Sequence, residues 1–126
     1  MAKARPLSPH LSVWRFQLPA VMSILHRITG VAIASGTLLL AGWVIALAAG
    51  EDTFAIASLI IAHPIGQLVL FGYSAALFYH MCNGIRHLSW DLGYGVNIPT
   101  LYLTGRIAAI AAFLMTTGLW LYVYVS

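Results

Sequence analysis

Three long apolar segments constrain this chain more than any other feature. The first, Ile28–Ala49, has 22 residues and no charge, and two more follow it. Each approaches or exceeds the roughly 20 residues that a helix needs to cross about 30 Å of hydrocarbon. Their residues do not alternate between apolar and polar, which disfavours membrane strands. We therefore predict an all-α membrane protein forming one domain over 1–126. Its three transmembrane helices are expected at about residues 19–49, 54–88 and 102–125.

The composition supports lipid as the main solvent of this chain. Only 7% of the residues are charged and 61% are apolar, with a mean hydropathy of +0.91. An ordinary soluble domain has about 25% charged residues to cover its surface. The single cysteine, Cys82, excludes an internal disulfide.

The distribution of charge predicts the orientation in the membrane. The basic residues lie before the first apolar segment or around the connection between the second and third: Lys3, Arg5, Arg15, Arg27, Arg86 and Arg106. The first connection, Gly50–Thr53, carries two of the three acids and no base. The positive-inside rule then places the N-terminus in the cytoplasm and the C-terminus in the periplasm. We interpret residues 1–18 as a segment on the cytoplasmic face, and the net charge of +3 as a topology signal, without nucleic-acid binding.

The first apolar segment is not expected to be a cleaved signal peptide. Lys3 and Arg5 precede it, but its apolar core exceeds the 7–15 residues of such a peptide. No Arg- and Ser-rich transit segment precedes it either, which favours the bacterial inner membrane.

Polar residues gather near one end of the second predicted helix. His80 lies six residues, or about 9 Å, deeper than Arg86, and ionisable groups in the membrane are candidates for function because they are expensive to bury. Ala76 and Gly84 flank it on the same face. A porphyrin could approach such a face, and close helix packing would use it equally well.

The neighbouring polar residues allow more than one role. His87 lies two turns from His80 and could reach a haem propionate or serve as an interfacial polar residue. Arg86 suggests a topology anchor or a partner contact, and Asp91 could pair with Arg86 or Arg106. On the first helix, Ser23 and Arg27 share a face.

That face could hydrogen-bond the carbonyls of a quinone head group. The Arg27 guanidinium could equally neutralise a haem propionate or a lipid phosphate.

Three stretches together resemble a known family. RPLSPHLSVWRF, SILHRITG and YHMCNGIRHLSWDLG are similar to the cytochrome b556 membrane-anchor subunit of succinate dehydrogenase, respiratory complex II. The patterns S-x-x-H-R-x-[ST]-G and H-x3-G-I-R-H-x3-D occur in order over Arg5–Gly93, and the third helix matches by position only.

The resemblance implies a haem b site. His80 would be an axial ligand of the iron, and the other axial ligand would come from a second, similar anchor subunit. His26 and Arg27 would contact the propionates, and Gly84 would belong to the haem-facing stretch.

The resemblance also implies a ubiquinone site and several partners. Ser23 and Arg27 match residues of that site, and Asp91 would lie near it. An iron–sulfur subunit would deliver electrons, while succinate would be oxidised on a separate flavoprotein subunit. The chain itself would be a membrane anchor without the flavin chemistry.

Other functions remain open from the sequence. A cofactor-free structural anchor explains the topology but leaves His80 between two small residues unexplained. A transporter subunit with a proton relay is disfavoured because the polar residues gather at one side and leave the outer half of the membrane without an ionisable path. A fumarate reductase anchor working with menaquinone would have a similar sequence.

Overall fold

The computed structural model describes residues 15–126 and is helical apart from short connections. Its helices are α1 (Leu18–Ala48), α2 (Glu51–Ala62), α3 (Pro64–Asp91) and α4 (Ile98–Val125). Of these, α1, α3 and α4 are long and apolar enough to cross a membrane. The predicted all-α fold with three spans is confirmed. Most of the predicted interfacial segment 1–18 lies outside the described residues.

Proline and polar caps define where the long helices begin. Each of the three has a proline in its first turn: Pro19, Pro64 and Pro99. The missing N–H is harmless there, because the first-turn N–H groups have no partner within the helix. The Asn97 side chain also accepts a hydrogen bond from the Thr100 amide at 3.0 Å, which caps α4.

The segment predicted as one helix over about 54–88 contains a bend. His63 separates α2 from α3 with an extended backbone, at φ −62° and ψ 143°, because a following proline disfavours the helical conformation. A Cβ atom at Gly66 would collide with the carbonyl oxygens of Ile60 and Ile61. The absence of a side chain at Gly66 therefore lets the end of α2 approach the first turn of α3.

Helix α3 packs against both α1 and α4. The Tyr73 hydroxyl donates to the Ile33 carbonyl oxygen at 2.6 Å, and its ring fills the space where a Cβ atom of Gly36 would lie. On the other side, the Trp120 indole N–H donates to the Ser74 hydroxyl at 2.9 Å. Aromatic side chains on α3 and α4 thus hold the helices in register.

Small and polar side chains dominate the interior. The buried residues of the described chain include Gly36, Gly105, Ala46, Ala108, Ala112 and Thr116, together with Met22, Asn83 and Arg86. Large apolar side chains such as Val31, Leu68 and Phe113 are instead exposed. Helices in lipid pack in this way because lipid covers apolar surface as well as protein does, so that close backbone approach and polar contacts decide the packing.

Candidate functional site

Three histidines meet where α1 crosses α3, and we call them the histidine cluster: His26 from α1, and His80 and His87 from α3. The rings of His26 and His80 are stacked, with centroids 3.9 Å apart and planes inclined by 12°. The His87 ring lies 4.9 Å from that of His26 and is tilted by 38°. The seven-residue spacing puts His80 and His87 on one face of α3. The crossing of α1 over that face brings His26 beside them.

Hydrogen bonding indicates which tautomer the neutral His80 ring adopts. Its Nδ1 lies 3.1 Å from the His26 carbonyl oxygen and 3.3 Å from the Thr29 hydroxyl oxygen. A carbonyl oxygen only accepts, so Nδ1 carries the proton and donates it. Neutral imidazole then keeps a lone pair on Nε2, the arrangement that a metal-ligating histidine requires. His80 therefore fits the role of an iron ligand.

Two glycines border the cluster and differ in how much room they leave. A Cβ atom at Gly30 would lie 3.1 Å from the Cε1 atom of His80, whereas one at Gly84 would lie 3.8 Å from the Cε1 atom of His26. The first distance is too short for unstrained packing, and the second is ordinary van der Waals contact. Gly30, which the sequence analysis left without a role, is thus the closer neighbour of the candidate ligand.

One polar atom in the cluster lacks a partner in the part of the chain that is described. The Nδ1 atom of His26 is buried and makes no hydrogen bond within residues 15–126. Buried polar groups are nearly always hydrogen-bonded, and exceptions often mark a site whose partner is supplied from elsewhere. An acceptor such as a carboxylate of a bound group would satisfy it.

Arg86 is an interior residue rather than the topology anchor or partner contact that the sequence suggested. Only 5% of it is exposed, and its guanidinium donates to the Thr104 hydroxyl at 3.1 Å and the Leu101 carbonyl oxygen at 2.9 Å. A third bond, of 3.0 Å, goes to the Asn83 side-chain oxygen. The guanidinium also lies over the Trp90 ring, 4.2 Å from its centroid. It joins α3 to α4.

Asn83 links this arginine to the histidine cluster. The side chain is fully buried, and its amide nitrogen lies 3.5 Å from both the Met22 carbonyl oxygen and the His87 Nε2 atom. The sequence analysis gave Asn83 no role. An amide inside an apolar helix was the available signal, since such groups hydrogen-bond across helices in membranes.

The predicted quinone-site residues lie outside the cluster. Ser23 is half-buried on α1, Arg27 is exposed one turn later, and Asp91 is exposed at the end of α3. Within residues 15–126, none of them forms a hydrogen bond or ring contact with the cluster. In the described part of the chain no ion pair joins Asp91 to Arg86 or to Arg106, and Arg86 bonds instead to groups on α3 and α4. The predicted roles of Ser23, Arg27 and Asp91 in a quinone site stay predictions.

These features define a class of protein: a small multi-pass membrane protein with a cluster of three histidines and a buried arginine at one end of a helical bundle, in which one histidine is suited to bind a metal. A family model described as succinate dehydrogenase/fumarate reductase transmembrane subunit matches residues 1–119. The chain belongs to this family, as the sequence motifs predicted. Membership implies association with the other subunits of such an enzyme.

Relatives with assigned names are similar to this chain over nearly its whole length. It is 41% identical over 116 residues to the succinate dehydrogenase cytochrome b556 subunit of Rickettsia felis, covering 92% of this chain and 90% of the relative. The subunit of the same name from Paracoccus denitrificans is 39% identical over 120 residues, covering 95% and 92%. The human mitochondrial succinate dehydrogenase cytochrome b560 subunit is 38% identical over 117 residues, covering 91% and 69%. With its bacterial relatives and three spans, the chain is a multi-pass inner-membrane protein.

Proposed function

We propose that this chain is the haem b-binding membrane anchor of a succinate:quinone oxidoreductase. A second anchor subunit would supply the other axial ligand and share the haem. The observation that carries this proposal is the His80 imidazole, whose Nδ1 is engaged by the His26 carbonyl while its Nε2 is left for iron. Relatives with cytochrome b names support it.

The residues around His80 suit the edge of a haem. The Nδ1 atom of His26, which has no hydrogen-bond partner within residues 15–126, could donate to or accept from a propionate, and Arg27 and His87 would add positive charge or a further N–H. Gly84 leaves space beside His26. When bound, haem b takes up and releases single electrons. The side chains of this protein hold it and compensate the charge of its propionates.

Ser23 and Arg27 would form this chain's part of the ubiquinone-reduction site, with Asp91 nearby. A hydroxyl and a guanidinium one turn apart can both donate to quinone carbonyl oxygens. The Arg27 guanidinium would stabilise the negative charge that develops on a quinone oxygen during reduction, because a fixed cation needs no reorganisation at that moment. The iron–sulfur subunit would deliver the electrons, and the flavoprotein subunit would oxidise succinate. This requires the N-terminus of α1 and the C-terminus of α3 to face the cytoplasm.

A visible difference spectrum of the purified complex tests the haem assignment. We expect a sharp b-type signal in the reduced-minus-oxidised spectrum of the native complex. His80→Ala should abolish it or convert it to a high-spin form, because one axial ligand is lost. His63→Ala is the matched control, since His63 is an exposed histidine that caps the other end of α3. A native complex without haem would favour a cofactor-free anchor, and haem unchanged by His80→Ala would assign the iron to other ligands.

A further inference from the structure

We propose that Thr29 is a positioning residue for His80: its hydroxyl oxygen accepts the Nδ1–H of the ring together with the His26 carbonyl. This inference rests on the proposed function of His80 as a haem ligand. It gives a role to the [ST] position of the S-x-x-H-R-x-[ST]-G pattern, to which the sequence analysis assigned none.

The geometry around the Thr29 hydroxyl settles the direction of each hydrogen bond. Its Oγ1 lies 2.8 Å from the Leu25 carbonyl oxygen, 3.0 Å from that of His26 and 3.3 Å from His80 Nδ1. A hydroxyl has one hydrogen and two lone pairs. The hydrogen goes to a carbonyl oxygen, because carbonyls cannot donate. Since the same Nδ1 also faces the His26 carbonyl and must donate to it, the Thr29 oxygen accepts.

The next two hydroxyls along α1, those of Ser35 and Thr37, bond only within the helix among the described residues. The Thr37 hydroxyl donates to the Ala34 carbonyl oxygen at 2.6 Å, and that of Ser35 donates to the Ala32 carbonyl oxygen at 2.8 Å. Such bonds are an ordinary way for Thr and Ser to satisfy a hydroxyl inside a helix. Thr29 makes the same kind of bond and in addition reaches a residue 51 positions away, on another helix.

Two consequences follow for the ligand. First, two acceptors hold the Nδ1 proton, so the iron-binding lone pair stays on Nε2 and the ring stays in place against Gly30. Second, an N–H shared with an acceptor makes the imidazole a more basic ligand. A more basic ligand favours the ferric over the ferrous state. The Thr29 hydroxyl should therefore lower the midpoint potential of the haem.

A redox titration of the haem in the assembled complex tests this role. Thr29→Val keeps the shape of the side chain and removes the hydroxyl, Thr29→Ser keeps the hydroxyl, and Thr37→Val is the matched control on α1. In Thr29→Val we expect a more positive midpoint potential and haem that is held about tenfold less tightly. Tenfold is the lower end of the range for losing a hydrogen bond to a metal-binding histidine. We expect the lower end because the His26 carbonyl still accepts from Nδ1. Thr29→Ser and Thr37→Val should match the native complex.

The outcomes separate this inference from the proposed function. If His80→Ala removes the haem while Thr29→Val behaves like Thr37→Val, the positioning role is wrong and the ligand assignment stands. If His80→Ala leaves the haem unchanged, the ligand assignment itself fails. Should Thr29→Val not assemble, Thr29→Ala provides the same comparison. If Thr29→Ser is the only Thr29 variant that assembles, the hydroxyl is needed for helix packing, and the positioning role is wrong.

Discussion

Asn83 connects the buried arginine with α1 and the histidine cluster. Its oxygen accepts from the buried Arg86 guanidinium, and its amide group reaches toward α1 and His87. Replacing it with an apolar residue would leave an N–H of a buried cation without an acceptor. Hydrogen bonds to charged groups contribute about 1.5–3 kcal/mol, more than the average of about 0.6 kcal/mol for polar contacts between membrane helices.

We therefore predict that Asn83→Leu lowers the free energy of unfolding by about 2 kcal/mol. Thermal unfolding of the assembled complex in detergent measures it as a lower midpoint temperature. Ser35→Ala is the control, because its exposed hydroxyl bonds only within α1. Equal midpoints for the two variants would show that the guanidinium finds another acceptor.

At the residue scale the sequence identifies the candidate iron ligand, His80, more readily than the residues that surround it. His80 stands out because an ionisable group lies well below the membrane surface. The sequence does not single out Thr29, Gly30 or Asn83 in the same way, since membrane helices commonly contain small and polar residues that serve only helix packing or bonds within the helix. Their roles depend on the register in which α1 crosses α3, and single-helix periodicity carries no information about that register.

At the scale of the elements, the bend between α2 and α3 depends on one glycine. Gly66 has carbonyl oxygens of α2 where a Cβ atom would be, so a side chain must push the two helices apart. Backbone atoms cannot move aside as the end of a flexible side chain can.

Gly66→Ala should accordingly reduce the amount of assembled complex recovered from membranes. Gly72→Ala on the same helix is the control, because a Cβ atom there has no atom within 4 Å. Quantification of the purified complex per cell for both variants gives the comparison. Equal recovery would mean that α2 can shift without affecting assembly.

The length and apolarity of the segments were sufficient to predict the three spans, because crossing the membrane imposes a minimum length. The division at His63 was harder to foresee from apolarity, since residues on both sides of it are equally apolar. Pro64 was the signal, and its restriction of the preceding residue is a local steric effect that a hydropathy pattern does not register.

At the scale of the whole molecule, the charge distribution predicts a fixed orientation. In a Cys82→Ser background, Glu51→Cys should react with a membrane-impermeant thiol reagent in intact cells. Val96→Cys, in the exposed connection before α4, should react only after the cells are permeabilised. The reverse pattern would place the N-terminus outside and would remove Ser23 and Arg27 from the cytoplasmic side.

The buried arginine also has a consequence for biosynthesis. Its acceptors belong to two stretches of chain: Asn83 precedes it by three residues, whereas Thr104 follows it by 18 and Leu101 by 15. During translation α3 leaves the ribosome before α4, and the guanidinium then lacks two of its three acceptors. Since an unpaired charge opposes entry into hydrocarbon, we expect α3 to settle at its final depth once α4 has been made. The last helix is then expected to complete the insertion of the one before it.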